Sequence, residues 1–406
     1  MKIGIIGGGI IGTTIAATLQ KHFENVSPSS GFDNSDITII DDSFSRKHQT
    51  SQAGQGYLWS IHRTNDDLSQ SFKAKKAWFE LLQCSKNNNE CDDAILQRSN
   101  ADSSIIDTLF DPAQRGSLLI AVTDNQKQQL QRHYERSPVG KNGSKEMIYL
   151  SSIFSFVKEN LPWDSEFAKK ILQPHASAIY YPHDYTCTPT QIMKYLLHKH
   201  NRIRVDHRSV ISLEKERELY DIIICCTGPW IKELYPEADV TPVRGLLVTF
   251  EKQHHHQHTN TINDEENNTK LQNRMRLPPM MEIGYGSMGY HFTLSSRTSS
   301  NENLWLLGAS REMVGFDRSS EHTDLVVKDL IQHSKQFVQS DNIFGSVKET
   351  KIGFRASPNH PNQERKSTYT VEKREENLIF SYGFEGQGVL YAALAAKEVL
   401  SLVINS

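Results

Sequence analysis

Three glycines near the start of the chain, Gly7, Gly9 and Gly12, are spaced G-x-G-x-x-G. That spacing suits a dinucleotide when it joins a strand to a helix. The first glycine permits a tight turn, the second lets backbone approach the diphosphate, and the third lets helix and strand pack closely. The helix N-terminus then turns its free N–H groups toward the phosphate charge. The run Gly7, Gly9, Ile10, Ile11 and Gly12 is therefore the first set of candidate cofactor contacts, although the same glycines would also serve a purely structural turn. An acid at the end of the next strand completes such a site by accepting hydrogen bonds from ribose hydroxyls. Asp41 directly follows an apolar run and is preferred over Asp42, which also suits a turn. The interval from Gly12 to Asp41 exceeds the usual span of about twenty residues, which implies a polar insertion between them.

Other chemistries lack their residues. There is no convincing Ser-His-Asp nucleophile set and no phosphate loop ending in Gly-Lys-Ser/Thr. His254, His255, His256 and His258 cluster without a carboxylate or thiolate scaffold, so no metal site is expected. The five cysteines have no metal-ligand spacing, and the odd count argues against a disulfide framework. Cys225 and Cys226 are neighbours in an apolar run, where side chains point to opposite faces, and are expected to be buried thiols.

A net charge of −3 with scattered basic residues gives no footprint for nucleic acid or an anionic membrane. No apolar run reaches the roughly 18 residues of a membrane span. Met1 leads directly into a strand, so no signal segment is expected and the expected location is cytoplasmic; an upstream targeting segment would allow an organellar one. A chain of 406 residues implies two or three domains.

The elements that must hold these residues show in the periodicity. Lys2 to Ile6 reads as a buried strand, Gly7 to Gly12 as a turn, Thr13 to Phe23 as a helix and Ile37 to Ile40 as a second strand. Asn25 to Asp36, rich in Ser, Asn, Gly and Pro, is the insertion. Asp67 to Leu82 has helical spacing, with Leu68, Phe72, Trp78 and Leu81 available to one face. Gly116 to Thr123, Ala178 to Tyr181 and Ile203 to Val205 read as strands, and Thr190 to His200 as a helix. Asp221 to Cys226 is a continuous apolar run, the pattern of a strand covered on both faces. Leu246 to Phe250, Phe292 to Ser295 and Leu304 to Ala309 alternate with polar linkers and predict an antiparallel sheet apart from the parallel opening. Glu251 to Arg274 is low in complexity and reads as a loop; Ile379 to Tyr382 and Gly388 to Val403 close the chain as a strand and an Ala-rich helix.

Several further segments keep a recognisable order: Thr50-Ser51-Gln52-Ala53-Gly54-Gln55-Gly56, Thr227-Gly228-Pro229-Trp230, Pro242-Val243-Arg244-Gly245, Gly353-Phe354-Arg355 and Gly383-Phe384-Glu385-Gly386-Gln387-Gly388. With the glycine fingerprint they resemble, over nearly the whole chain, the D-amino-acid oxidase-like FAD-dependent oxidoreductases, the family of glycine oxidase and sarcosine oxidase. Gly54 to Trp59 and Leu307 to Glu312 look especially like an uncharacterised plant-type branch.

The resemblance implies an α/β fold: a Rossmann-type FAD-binding domain from residues 1–84, 186–240 and 350–406, and a substrate domain from 85–185 and 241–349 around a mixed or antiparallel sheet. FAD would be held non-covalently. Thr50, Ser51, Gln52, Ala53, Gly54, Gln55 and Gly56 would run along the flavin. Val210, read as part of a short strand after Arg208-Ser209, would touch the adenine half, and Thr227 and Gly228 would border the cofactor. Phe384, Glu385, Gly386, Gln387 and Gly388 would place a glycine-lined helix N-terminus near N1 and O2 of the flavin, where the reduced ring carries negative charge. Arg355 would take a substrate carboxylate in its planar fork and lie against the cofactor. Phe354 and Ala356 depart from the Leu and Pro of the family pattern, which puts the loop's shape in question. Tyr285 and Tyr290 would cover the ligand, and Arg311 would add a positive group unless paired with Glu312.

The implied reaction is oxidation of an amino acid or secondary amine to an imine by hydride transfer to flavin, with electrons passing to oxygen or another acceptor. A flavin dehydrogenase of a hydroxy acid, and a flavin-containing binding or assembly factor without turnover, stand as alternatives.

Overall fold

A computed structural model describes residues 1–26, 36–42, 50–54, 56–59, 65–82, 109–110, 116–136, 147–152, 172–252, 280–283, 290–299, 302–339, 344–358 and 369–405. The first sheet has six strands, in the order Thr370–Glu375, Leu378–Tyr382, Ile222–Cys225, Lys2–Ile6, Asp36–Ile40 and Arg204–Asp206. All pairings are parallel except that of the edge strand Thr370–Glu375. Its central strands read as continuous apolar runs because both faces are covered. On one face Ile3, Ile5, Ile37, Ile39 and Ile224 meet Ile15, Ala16 and Leu19 of the helix Ile10–Asn25 and Ala396 and Val399 of the closing helix Gly388–Ile404. On the other, Ile6, Ile40, Ile223, Cys225 and Phe380 pack with Ile231, Val240 and Ala356.

The second sheet has eight strands, in the order Phe344–Pro358, Val240–Lys252, Glu302–Ser310, Tyr290–Ser299, Met280–Glu282, Ser117–Ala121, Ser177–Tyr181 and Ile148–Leu150. It is mixed: Met280–Glu282 runs parallel to Ser117–Ala121 and every other pair is antiparallel. Helix Ser320–Ser334 places Val326 and Leu330 in its core, where Phe292 stacks on Phe337 at 4.5 Å.

Two long strands join the sheets. Val240–Lys252 and Phe344–Pro358 begin and end their pairing at Val240↔Pro358, beside the first sheet, and continue into the second through Leu246, Val248 and Phe250. Pro242 is tolerated because the strand's ladder to Glu302–Ser310 starts only at Leu247, so no N–H is needed on that side. The sequence reading saw only Leu246 to Phe250 of this element. It also placed Val210 in a strand. The chain instead leaves the sheet after Asp206, at the edge, and Val210 lies in the following loop. Most of the polar run from Glu251 to Arg274 lies outside the described residues.

Candidate functional site

The C-terminal ends of the parallel strands open into one cavity of 710 Å³, bordered by Ile6, Ile40, Cys226 and Gly383, the residues that end or directly follow four of those strands. Parallel α/β sheets bind their ligands in this position.

The three glycines have three separate reasons to be there. Gly7 has φ +108°, and a Cβ on it would lie 2.5 Å from the Cys226 carbonyl. A Cβ on Gly12 would lie 1.9 Å from the Gly7 carbonyl, so helix and turn pack too closely for any side chain. Above Gly9 the space is open toward the cavity, with Ser51 Oγ 3.2 Å from where a Cβ would stand. Gly7 N–H donates to the Ile40 carbonyl and Cys226 N–H to Ile6, which ties the turn to both neighbouring strands. Asp41 accepts from Gly8 N–H, Ser51 Oγ accepts from Ile10 N–H at 2.9 Å, and Ser209 donates to Asp42. The turn, the open face at Gly9 and the two acids at the strand end fit the diphosphate and ribose of a dinucleotide.

Of the residues singled out from sequence, Gly7, Gly9, Ile10, Ile11, Asp41, Asp42, Thr50, Ser51, Val210, Thr227, Gly228, Phe384, Glu385 and Gly388 all border this cavity. Gly12, Gly54, Gly56, Gly386 and Gln387 are not part of its lining. Gly56, with φ +71°, abuts the Cys187 carbonyl and accepts a hydrogen bond from Cys187 N–H at 2.7 Å. Gln52 and Ala53 belong to the short helix Thr50–Ala53. Gln55 and Tyr285 lie outside the described residues, and Tyr290 pairs with Ser310 across the second sheet. Thr50 Oγ1 donates to the Phe354 carbonyl at 2.5 Å, fixing the small-residue segment against the long strand.

Along that strand, Phe354 and Ala356 face the cavity while Arg355 points to the other side, as the alternation of a strand requires. The Arg355 guanidinium lies against the Cα of Gly245, where a Cβ would stand 2.6 Å from Cζ, and its Nε would be 3.8 Å from a Cβ on Gly386. It donates to the Ser310 carbonyl at 2.8 Å. Burial and the adjacent Arg311 pull the guanidinium down to about 10, against the opposing pull of Glu312, so it stays cationic at neutral pH. Arg311 pairs with Glu385 rather than with its chain neighbour Glu312, and donates to Ser357 Oγ at 2.9 Å. Arg355 and Arg311 thus share one side of the closing turn, with Glu385 reaching the cavity.

Further residues belong to the wall or support it. Arg208 grips Glu216 with two bonds of 2.6 Å and Asp206 with one of 2.6 Å, which raises its pKa. Trp230 stacks on Phe316 at 5.4 Å and meets Phe354 edge-on at 6.3 Å, and Arg318 lies 5.1 Å over the Phe354 ring. Cys225 and Cys226 are buried free thiols; burial pushes Cys225 up to about 12 and raises Cys226 as well. Among the described residues no cluster of His, Cys, Asp and Glu has the makings of a metal site, and no helix is long and apolar enough to cross a membrane.

The family model for FAD dependent oxidoreductases matches residues 2–402. No curated protein sequence matches the chain. Among solved structures, the fold is similar to glycine oxidase from Bacillus cereus ATCC 14579, at 15% identity and a TM-score of 0.66 over 100% of this chain and 95% of that one. L-proline dehydrogenase from P. horikoshii is similar at 15% identity and a TM-score of 0.64, over 100% and 93% of the two chains. L-alpha-glycerophosphate oxidase from Mycoplasma pneumoniae, a structure with FAD bound, gives 14% identity and 0.62 over 99% and 94%.

Proposed function

Because the chain belongs to the family of FAD dependent oxidoreductases, we propose that it oxidises a small carboxylate-bearing amine, an amino acid or secondary amine, to an imine. Bound FAD supplies the hydride acceptor. Loss of hydride from the carbon beside nitrogen leaves a C=N bond, which water then opens to an oxo product and a released amine.

The observation that carries this reading is Arg355, a cation beside the closing turn on the face of its strand away from the cofactor cavity, where the substrate would have to lie, and whose near partner is a carbonyl rather than a carboxylate. A planar fork in that position suits a substrate carboxylate and would orient the neighbouring C–H. The glycine turn and Asp41 would hold the dinucleotide, and Glu385 and Gly388 border the cavity where the closing helix begins. In this reading residues 1–84, 186–240 and 350–406 carry the cofactor, and 85–185 and 241–349 the substrate. The names of the glycine oxidase and L-proline dehydrogenase structures point to the same substrate chemistry.

The deciding experiment is an anaerobic screen of amino acids, secondary amines and hydroxy acids, following loss of the oxidised-flavin absorbance. Bleaching by carboxylate-bearing amines supports the proposal. Bleaching by hydroxy acids alone replaces it with alcohol oxidation, and no bleaching of a fully loaded protein replaces it with a non-catalytic role. Reoxidation by air compared with a dye then distinguishes oxygen from another acceptor.

A further inference from the structure

The charged side chains on the cavity wall are Asp41, Asp42, Glu233 and Glu385 against Arg208 and Arg318. Arg208 is committed to Glu216 and Asp206. Arg318 differs: it lies over the Phe354 ring, and among the described residues its guanidinium makes no hydrogen bond or ion pair. Glu385 is already paired with Arg311 and Asp41 accepts from Gly8 N–H, and a cation beyond the N–H groups of the glycine turn would offset the remaining carboxylates for an entering diphosphate.

Arg318 is held in place by its segment. The strand Glu302–Ser310 of the second sheet continues into a strap whose ends are fastened to the fully buried Arg244. Arg244 and Glu312 exchange both backbone hydrogen bonds at 3.0 Å, and the Arg244 guanidinium donates to the Asp317 carbonyl at 3.2 Å and Thr323 Oγ1 at 2.8 Å. Between them Gly315 turns the strap with φ +63°, and Phe316 stacks on Trp230, which follows a first-sheet strand. The strap therefore crosses from one sheet to the other and ends with a guanidinium on the groove.

We propose that Arg318 is an anion clamp, supplied by the second sheet, for the diphosphate of the dinucleotide held on the first. A guanidinium stacked on an aromatic face keeps its edge N–H groups free, and two of them match two phosphate oxygens. The proposal rests on the FAD reading, and its test separates the two.

The flavin-free full-length chain is titrated with FAD by fluorescence quenching, with ADP and adenosine as competitors. Arg318→Gln is expected to weaken FAD and ADP about ten- to a hundredfold and leave adenosine unchanged. Arg318→Lys, a point charge on a flexible stem, recovers part of the loss. Raising the salt from about 0.05 to 0.5 M narrows the gap between wild type and Arg318→Gln. Unchanged ADP affinity in Arg318→Gln overturns the clamp. So does an equal loss for adenosine, which would assign the residue to packing of the strap. Each variant is melted without ligand first, and Arg318→Met, which keeps the stem over Phe354, replaces Gln if the latter lowers the melting temperature. A wild-type chain that binds neither FAD nor ADP overturns the dinucleotide reading itself, and the clamp with it.

Discussion

Gly9 and Gly12 separate cofactor binding from folding within one turn. Gly9 has φ −68° and ψ −175°, a backbone any residue adopts, and its missing side chain would point into the cavity. Among the described residues the crowding is Ser51 Oγ at 3.2 Å, so Gly9→Ala should cost the flavin-free fold the Ser51 hydrogen bond to Ile10, about 1 kcal/mol. Bound FAD loses more. A Cβ at the closest approach to the diphosphate would displace it from the turn's N–H groups, and losing one or two charge-assisted bonds at roughly 1.5–3 kcal/mol each weakens binding by about ten- to over ten-thousandfold. Gly9→Val should abolish retention of FAD through purification. Gly12→Ala behaves oppositely, because a Cβ 1.9 Å from the Gly7 carbonyl cannot be accommodated without moving the turn, and the flavin-free protein itself should melt early. The assay is paired: FAD affinity by fluorescence quenching, and melting of the flavin-free chains. Wild-type FAD affinity in a folded Gly9→Val chain, or a Gly9→Ala fold as damaged as Gly12→Ala, would refute the assignment of separate roles.

Arg355→Ala should leave FAD bound yet weaken reduction by a carboxylate-bearing substrate by about ten- to over a hundredfold in kcat/KM, with Arg355→Lys intermediate; equal kinetics for all three proteins would remove the anchor. Native Cys225 and Cys226 should resist thiol reagents at pH 8–9 and react fully in denaturant, since burial holds Cys225 at about 12. The sign for stability follows: a raised thiol pKa lets the unfolded chain lose protons first, so stability should fall as pH rises from about 8.5 toward 12, as urea melts would show. Glu216→Ala removes a buried carboxylate from a partly exposed Arg208 and should cost roughly 1–3 kcal/mol in urea unfolding, the exposure of the guanidinium keeping the loss below that of a fully buried pair.

The parallel sheet was legible in the sequence because strands covered on both faces become unbroken apolar runs, as Ile222–Cys225 did. The first helix was read as starting at Thr13 because the glycine fingerprint disguised its opening turn; it begins at Ile10. Helix Asp124–Arg136 escaped notice because Leu130 is its only buried residue, too little to set a period. The edge strand Thr370–Glu375 buries little and gave no alternation. The expected cofactor residues that border the cavity were legible since each belongs to a short local pattern. The wall formed by Trp230, Phe316, Phe354 and Arg318 was not, because three distant segments build it: Trp230 and Phe354 each stand in a recognisable motif, but no local pattern ties them to Phe316 and Arg318. The strand register decided what the motif alone left open, namely that Phe354 and Ala356 face the groove and Arg355 does not.

The strand order of the first sheet also bears on biosynthesis. Ile222–Cys225 pairs with Lys2–Ile6 on one side and with Leu378–Tyr382 on the other. As the chain is synthesised at about 5–20 residues per second, the isoleucine-rich edge of Ile222–Cys225 waits roughly eight to thirty seconds for its second partner. The closing helix that covers the same face emerges later still. An unpaired apolar edge is a template for another chain. For that interval the nascent edge is open to pairing with a second chain, whatever the stability of the finished fold.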